Sequence, residues 1–134
     1  MNQWGDLTWN FKENSQEIEA DAYDSLLLEP SEYFIEHYKI LLQLAQQRNL
    51  QLIFTWSVSL KSALFNLDDF EDRQKVQNFK ANLNKIGIDI DIKGELKDVH
   101  FTQDFFFDTS KHLNQEGVKI RTQALKNVIR ENIR

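Results

Sequence analysis

The chain has 134 residues, enough for one domain of ordinary size, and its 41% hydrophobic and 28% charged residues are typical of a globular protein. It contains no cysteine, which excludes disulfides, thiolate metal sites and cysteine nucleophiles. The net charge of −5 argues against a nucleic-acid partner. No apolar run approaches the ~20 residues of a membrane-spanning helix.

Residues 1–30 have weak periodicity, so we predict an irregular entry segment with one short helix near 14–23. The start of the chain lacks the basic and apolar stretches of a signal peptide, which predicts a cytoplasmic location for the sequence as given. Charge is uneven: residues 1–36 carry nine acids and one base, whereas residues 111–134 carry six bases and two acids. Either two solvated faces attract each other, or a basic patch meets an anionic partner.

Ser31 follows Pro30 and precedes an apolar pattern of helical spacing, so we predict that it caps a helix that runs to about residues 48–49. Residues 50–58 form a short, nearly continuous apolar run, which favours a strand covered on both faces. A looser segment is expected from 59 to 66.

Residues 68–86 begin with acids and continue with bases, which favours a second long helix, and Gly87 is well placed to end it. Residues 88–92 alternate between isoleucine and aspartate, which predicts a strand with one wet face near a sheet edge. Residues 105–107 form a short buried, strand-like run, and a last helix is expected from about Asn114 to the end. This order indicates an α/β fold with a small, mostly parallel sheet flanked by helices.

The pattern that points to a site is Asp108 followed by His112, just before the last helix. A carboxylate beside an imidazole orients a general base in many hydrolases. The competing interpretation is that both residues only cap the helix locally. Asp104, Asp108 and His112 are also spaced by four, as metal ligands on a helix would be, but the phenylalanine run between them favours an extended segment. We therefore predict neither a metal nor a cofactor.

Residues 106–117 read Phe-Phe-Asp-Thr-Ser-Lys-His-Leu-Asn-Gln-Glu-Gly and are followed by Ile-Arg-Thr at 120–122. This stretch resembles the C-terminal motif of SGNH/GDSL-type hydrolases, in the branch associated with acyl groups on cell-envelope polysaccharides. Residues 2–7 are weakly similar to an upstream segment of the same branch. The helix–strand–helix order from 31 to 92 also agrees with the back half of the family's fold.

The resemblance implies a three-layer flavodoxin-like fold, of which residues 1–134 would be one domain and the C-terminal part of a larger one. It implies that His112 is the general base and that Asp108 orients it. Near this pair, Trp56, Asn114 and Arg121 are candidate substrate-binding residues. The substrate of a full-length parent protein would be an acyl ester or an acylated polysaccharide, and the parent could belong to the cell envelope.

One departure from the family is decisive for activity. The family's serine nucleophile lies in a Gly-Asp-Ser or Gly-x-Ser turn, whereas here Gly5-Asp6 is followed by Leu7. A base without a nucleophile and an oxyanion hole loses most of its catalytic value. We therefore expect part of an ester hydrolase or acyl-transferring protein that is inactive alone. The alternative is a non-catalytic binding or self-associating module, for which Trp4 and Trp9 would supply exposed apolar surface.

Overall fold

A computed structural model describes Ile18 and residues 30–133 of the chain. The predictions for the helix near 14–23, for residues 2–7 and for the tryptophans at 4 and 9 lie outside the described residues. The described architecture is α/β, as predicted. Its helices are α1 (Glu32–Gln47), α2 (Phe70–Lys85) and α3 (Gln115–Asn132), and its strands are β1 (Phe54–Thr55), β2 (Ser59–Leu60), β3 (Ile92–Lys93) and β4 (His100–Phe101).

The three long helices predicted from residue 31 onward are confirmed, with small shifts at their ends. The Ser31 hydroxyl accepts a hydrogen bond from the Phe34 backbone N–H at 3.2 Å and so caps α1 as expected. Helix α2 begins at Phe70, two residues later than predicted, because Asp69 has an extended backbone and stands at the N-cap position.

Helices α1 and α2 end in the same way. Asn49 and Gly87 follow them with positive φ angles of 52° and 75°, a region open to Gly and to Asn. The N–H of the next residue then bonds back to the last turn, from Leu50 to the Ala45 carbonyl at 2.8 Å and from Ile88 to the Leu83 carbonyl at 2.9 Å. This six-residue closure is the Schellman motif, and it turns the chain directly into the following extended segment.

Two short parallel ladders replace the longer strands that the sequence predicted. Strand β1 pairs with β3 and strand β2 pairs with β4. Between the ladders, the segment that links β1 to β2 has three residues (56–58), whereas the segment that links β3 to β4 has six (94–99) and includes a 3-10 turn at Leu96–Val99. The longer segment must leave the sheet plane, and this interrupts the pairing. The prediction of a continuous strand from 50 to 58 was therefore wrong in extent, and the predicted loose segment starts with a strand.

Burial along residues 88–92 follows the predicted alternation, since Ile88 is fully buried while Asp89 and Asp91 are exposed. Only Ile92 of this segment belongs to a strand. The prediction of a strand-like run at 105–107 was wrong. Residues Gln103–Phe105 form a 3-10 turn, and the fully buried Phe106 makes a single antiparallel bridge to Leu113 because the chain reverses direction here.

The buried side chains form two clusters that tie the helices to the ladders. One cluster centres on Trp56, Leu60, Phe101 and Phe106, and α3 packs against it through Ala124. The other joins α1 and α2 to the 88–92 segment through Tyr38, Leu83 and Ile88. The Tyr38 hydroxyl donates to the Asp89 carbonyl at 2.9 Å, and burial raises its pKa. In the described part of the chain, no helix has both the length and the apolar character needed to cross a membrane.

Candidate functional site

The segment before α3 is a tight loop that presents Asp108 and His112. The Phe106–Leu113 bridge closes its base. Above the bridge, the Phe107 N–H donates to the His112 carbonyl at 2.8 Å, and the His112 N–H donates to the Thr109 carbonyl at 3.2 Å. These bonds hold residues 107–112 in a defined shape without any strand.

Asn114 fixes this loop to the start of α3. Its side-chain oxygen accepts from the N–H groups of Glu116 at 3.1 Å and Gly117 at 3.0 Å, which is the N-cap arrangement that the sequence predicted. Its side-chain amide donates to the Asp104 carbonyl at 2.6 Å, and its own N–H donates to the Phe105 carbonyl at 2.9 Å. The side chain is buried, and both its oxygen and its nitrogen form hydrogen bonds. These contacts give Asn114 a structural role, while its predicted role in substrate binding stays a prediction.

Gly117 has a packing reason to be glycine. A Cβ atom at this position would lie 2.6 Å from the Phe105 carbonyl oxygen and 3.0 Å from Leu113 Cδ2. The first turn of α3 can therefore approach the base of the loop only if residue 117 has no side chain. Helix capping by Asn114 and close packing at Gly117 therefore account for these two residues of the motif without any catalytic role.

The Asp108–His112 pair has no comparable packing role. Asp108 Oδ1 lies 2.8 Å from His112 Nδ1, and the two side chains are 49% and 66% exposed, respectively. An ionised carboxylate can only accept, so in the neutral imidazole Nδ1 carries the proton and Nε2 has the lone pair. Within residues 30–133, Nε2 has no hydrogen-bond partner. The pair thus presents a basic nitrogen to solvent in an orientation that the carboxylate fixes.

The structure does not bring Asp104, Asp108 and His112 together as the ligands of a metal site. Residues 103–105 form a 3-10 turn, and residues 107–112 fold into the loop, so the spacing of four does not stack the three side chains. Among the residues that the structure describes, no group of three or more His, Asp or Glu side chains could hold a metal ion.

Trp56 and Arg121 are brought together at the end of β1. One Arg121 guanidinium nitrogen, Nη2, donates to the Trp56 carbonyl at 2.6 Å and to Thr55 Oγ1 at 3.2 Å. Burial lowers the pKa of Arg121. The Trp56 ring is buried against Phe79, with ring centroids 6.2 Å apart. Arg121 therefore ties α3 to the strand end.

A small cleft lies beside Arg121, with a volume of about 20 Å³. That space holds roughly one water molecule, which is far less than an acyl chain needs. Within the described part of the chain, no hydrogen bond or ring contact joins Trp56 or Arg121 to the Asp108–His112 pair. Substrate binding by Trp56 and Arg121 stays a prediction.

Sequence reasoning missed the partner of His100. This histidine is half-buried, and both of its ring nitrogens have hydrogen-bond partners. Its ring nitrogen Nδ1 lies 2.8 Å from Ser59 Oγ, and these two residues are register partners in the β2–β4 ladder. Its other nitrogen, Nε2, accepts from the Leu67 N–H at 3.4 Å. The contact follows from the pairing of residues 59 and 100 in adjacent strands. That pairing cannot be predicted from the sequence unless the strand register is known.

The Ser59–His100 contact does not have the character of a nucleophile and its base. Because Nε2 accepts from Leu67, the neutral imidazole carries its proton on Nδ1 and donates it to Ser59. A base for Ser59 would need a lone pair at that nitrogen. Ser59 is also buried, as is Ser110 inside the loop. The pair therefore holds the two strands together.

Comparison of the chain with models of protein families, with curated proteins and with solved structures found no match.

Proposed function

We propose that this chain is the C-terminal part of an SGNH-like ester hydrolase or acyl-transferring protein, in which Asp108 and His112 are the acid–base half of the active site. The observation that carries the proposal is the exposed 2.8 Å contact between the Asp108 carboxylate and His112 Nδ1. Capping and packing account for Asn114 and Gly117, but they do not account for Asp108 and His112. A flavodoxin-like three-layer arrangement, finer than the α/β character described above, belongs to the same proposal.

In this function, His112 Nε2 removes the proton from an attacking hydroxyl, and Asp108 stabilises the imidazolium that forms. His112 then returns the proton to the leaving oxygen of the ester. The attacking serine and the oxyanion hole would come from a segment of a parent protein that precedes this motif. The substrate class is an acyl ester, including acyl groups on a polysaccharide.

The orientation of His112 can be tested on this chain directly. Nitrogen-detected NMR should find the proton of neutral His112 on Nδ1, whereas Asp108→Ala should shift the population toward the Nε2-protonated form that is common in solution. His37, the exposed histidine of α1, serves as the control and should not respond to Asp108→Ala. An unchanged tautomer of His112 in Asp108→Ala would remove the proposed role of Asp108.

Catalysis is tested with an activated ester such as p-nitrophenyl acetate. The chain alone should show only the slow hydrolysis that an exposed imidazole gives, so His112→Ala and the control His37→Ala should lower the rate to a similar, small extent. In a parent that contains the motif and a serine nucleophile, loss of the base at the position of His112 should lower kcat/KM by about 10²–10⁴-fold. A parent whose activity is indifferent to that substitution would refute the catalytic assignment.

A further inference from the structure

Helix α1 carries an apolar stripe on the side that faces away from the core. Its buried residues are Tyr38 and Ala45. On the opposite side lie Tyr33, His37, Ile40 and Leu44, spaced by four, three and four residues, and the three apolar members are 70%, 46% and 49% exposed. This spacing is the one that forms a helix–helix seam in coiled coils and bundles. We call these four residues the α1 stripe.

Helix α3 carries a second stripe with the same spacing. Val118, Thr122, Leu125 and Ile129 again follow one another at four, three and four residues, and Val118 and Ile129 are 50% and 45% exposed. The stripe lies beside the face through which α3 packs on its own domain. We call these four residues the α3 stripe.

The charges that flank the two stripes are opposite in sign. Glu32 and Glu36 lie along one edge of the α1 stripe together with Lys39, which leaves a net charge of −1 there. Lys119, Lys126 and Arg130 lie along one edge of the α3 stripe. Lys119 is paired with Glu116 at 2.6 Å, whereas Lys126 and Arg130 have no ion pair within residues 30–133. Flanking charges of this kind set which helices pair.

We propose that the α1 stripe of one copy of this chain packs against the α3 stripe of a second copy. The helices have 16 and 18 residues, so the seam is about 24–27 Å long on each side. Each copy has both stripes. In a twofold dimer, the α1 stripe of each copy therefore packs against the α3 stripe of the other, whereas a head-to-tail arrangement would add further copies and form higher oligomers.

The test is sedimentation equilibrium of the full chain over a wide concentration range. The mass should rise above the 15.9 kDa of one copy as concentration increases. Ile40→Glu should raise the dissociation constant by about a hundredfold, since it places a carboxylate where the proposed contact would bury an aliphatic side chain. The matched control is Ile86→Glu, because Ile86 is similarly exposed at 43% but lies outside both stripes. A chain that stays monomeric at all concentrations, or equal effects of both substitutions, would overturn the proposal.

Charge swapping tests which helices meet. Glu36→Lys and Lys126→Glu should each weaken association severalfold, and the double variant should recover most of the loss. The chain has no cysteine, so single-cysteine variants report contacts cleanly. A short bismaleimide should join His37→Cys to Thr122→Cys in a mixture of the two proteins. Linkage of each variant only with itself, or no recovery in the double variant, would show that the stripes do not pair with each other.

Discussion

Replacing Gly117 with alanine tests how closely α3 approaches the loop that presents His112. The added Cβ would lie 2.6 Å from the Phe105 carbonyl oxygen and 3.0 and 3.2 Å from Leu113 side-chain atoms. Carbon–oxygen contacts in proteins are usually about 3.3–3.6 Å, so the helix or the carbonyl must move by roughly 0.7 Å. The same carbonyl accepts the Asn114 N–H, so the strain acts directly on the start of α3.

The expected cost follows from two opposing effects. Overpacking of this kind costs about 1–3 kcal/mol, and alanine recovers up to about 1 kcal/mol through its better helix propensity. We therefore expect Gly117→Ala to lower the free energy of unfolding by about 1–2 kcal/mol. For a chain of this size, that corresponds to a fall in Tm of roughly 3–8 °C.

Urea and thermal unfolding followed by far-UV circular dichroism measure this difference. Gly87→Ala is the comparison, since a Cβ at Gly87 meets nothing within 4 Å and its cost comes only from the positive φ of 75°, about 1–2 kcal/mol. Amide exchange separates the two variants, because only Gly117→Ala should speed exchange at Asn114. A Gly117→Ala protein as stable as the wild type, with unchanged exchange at Asn114, would refute the close approach.

Two further changes test the contacts of Asn114 and His100. Asn114→Ala loses two capping bonds and the bond to Asp104, so unfolding should become easier by about 1–3 kcal/mol. Asn114→Ser keeps a capping hydroxyl and should cost less, so equal losses in urea unfolding would contradict the capping role. Burial, aided by Lys61, lowers the pKa of His100 against the opposing effect of Asp68 and Asp72. A depressed pKa in the folded state means that the stabilisation is present above the unfolded value of about 6.5 and is lost as pH falls through the folded pKa. The free energy of unfolding should therefore decrease more steeply below pH 6.5 in the wild type than in His100→Asn, and identical slopes in urea titrations at several pH values would contradict this.

The helices could be predicted because their signals are local. Ser31 caps α1 through a bond to a residue three positions away, and Gly87 ends α2 through its own backbone conformation. The same holds for Asn114, whose side chain reaches the N–H groups two and three residues later. Such contacts depend on residue type and short spacing, both of which the sequence displays.

The strands and the His100 contact could not be predicted in the same way. Pairing of Ser59 with His100 depends on a register between segments 41 residues apart (from 59 to 100), and apolar composition does not encode that register. The apolar run at 105–107 correctly indicates that Phe106 is buried. It does not indicate that the chain reverses after Phe106, so that Leu113 pairs with it. In the candidate site, the 2.8 Å contact of Asp108 with His112 matches the spacing argument, whereas the bond from Arg121 to the Trp56 carbonyl joins residues 65 positions apart and depends on tertiary packing.

The segments from α1 to β1 and from α2 to β3 form two units of matching length. Helix α2 begins 38 residues after α1 (32 to 70), and β3 begins 38 residues after β1 (54 to 92). The ladder pairs Phe54 with Ile92, which is the same shift. Equal helix lengths and equal helix-to-strand connections therefore place the two strands level with each other. A residue gained or lost between α2 and β3 would turn Asp91 toward the core, whereas a change in the length of the 61–69 loop would leave the two units matched.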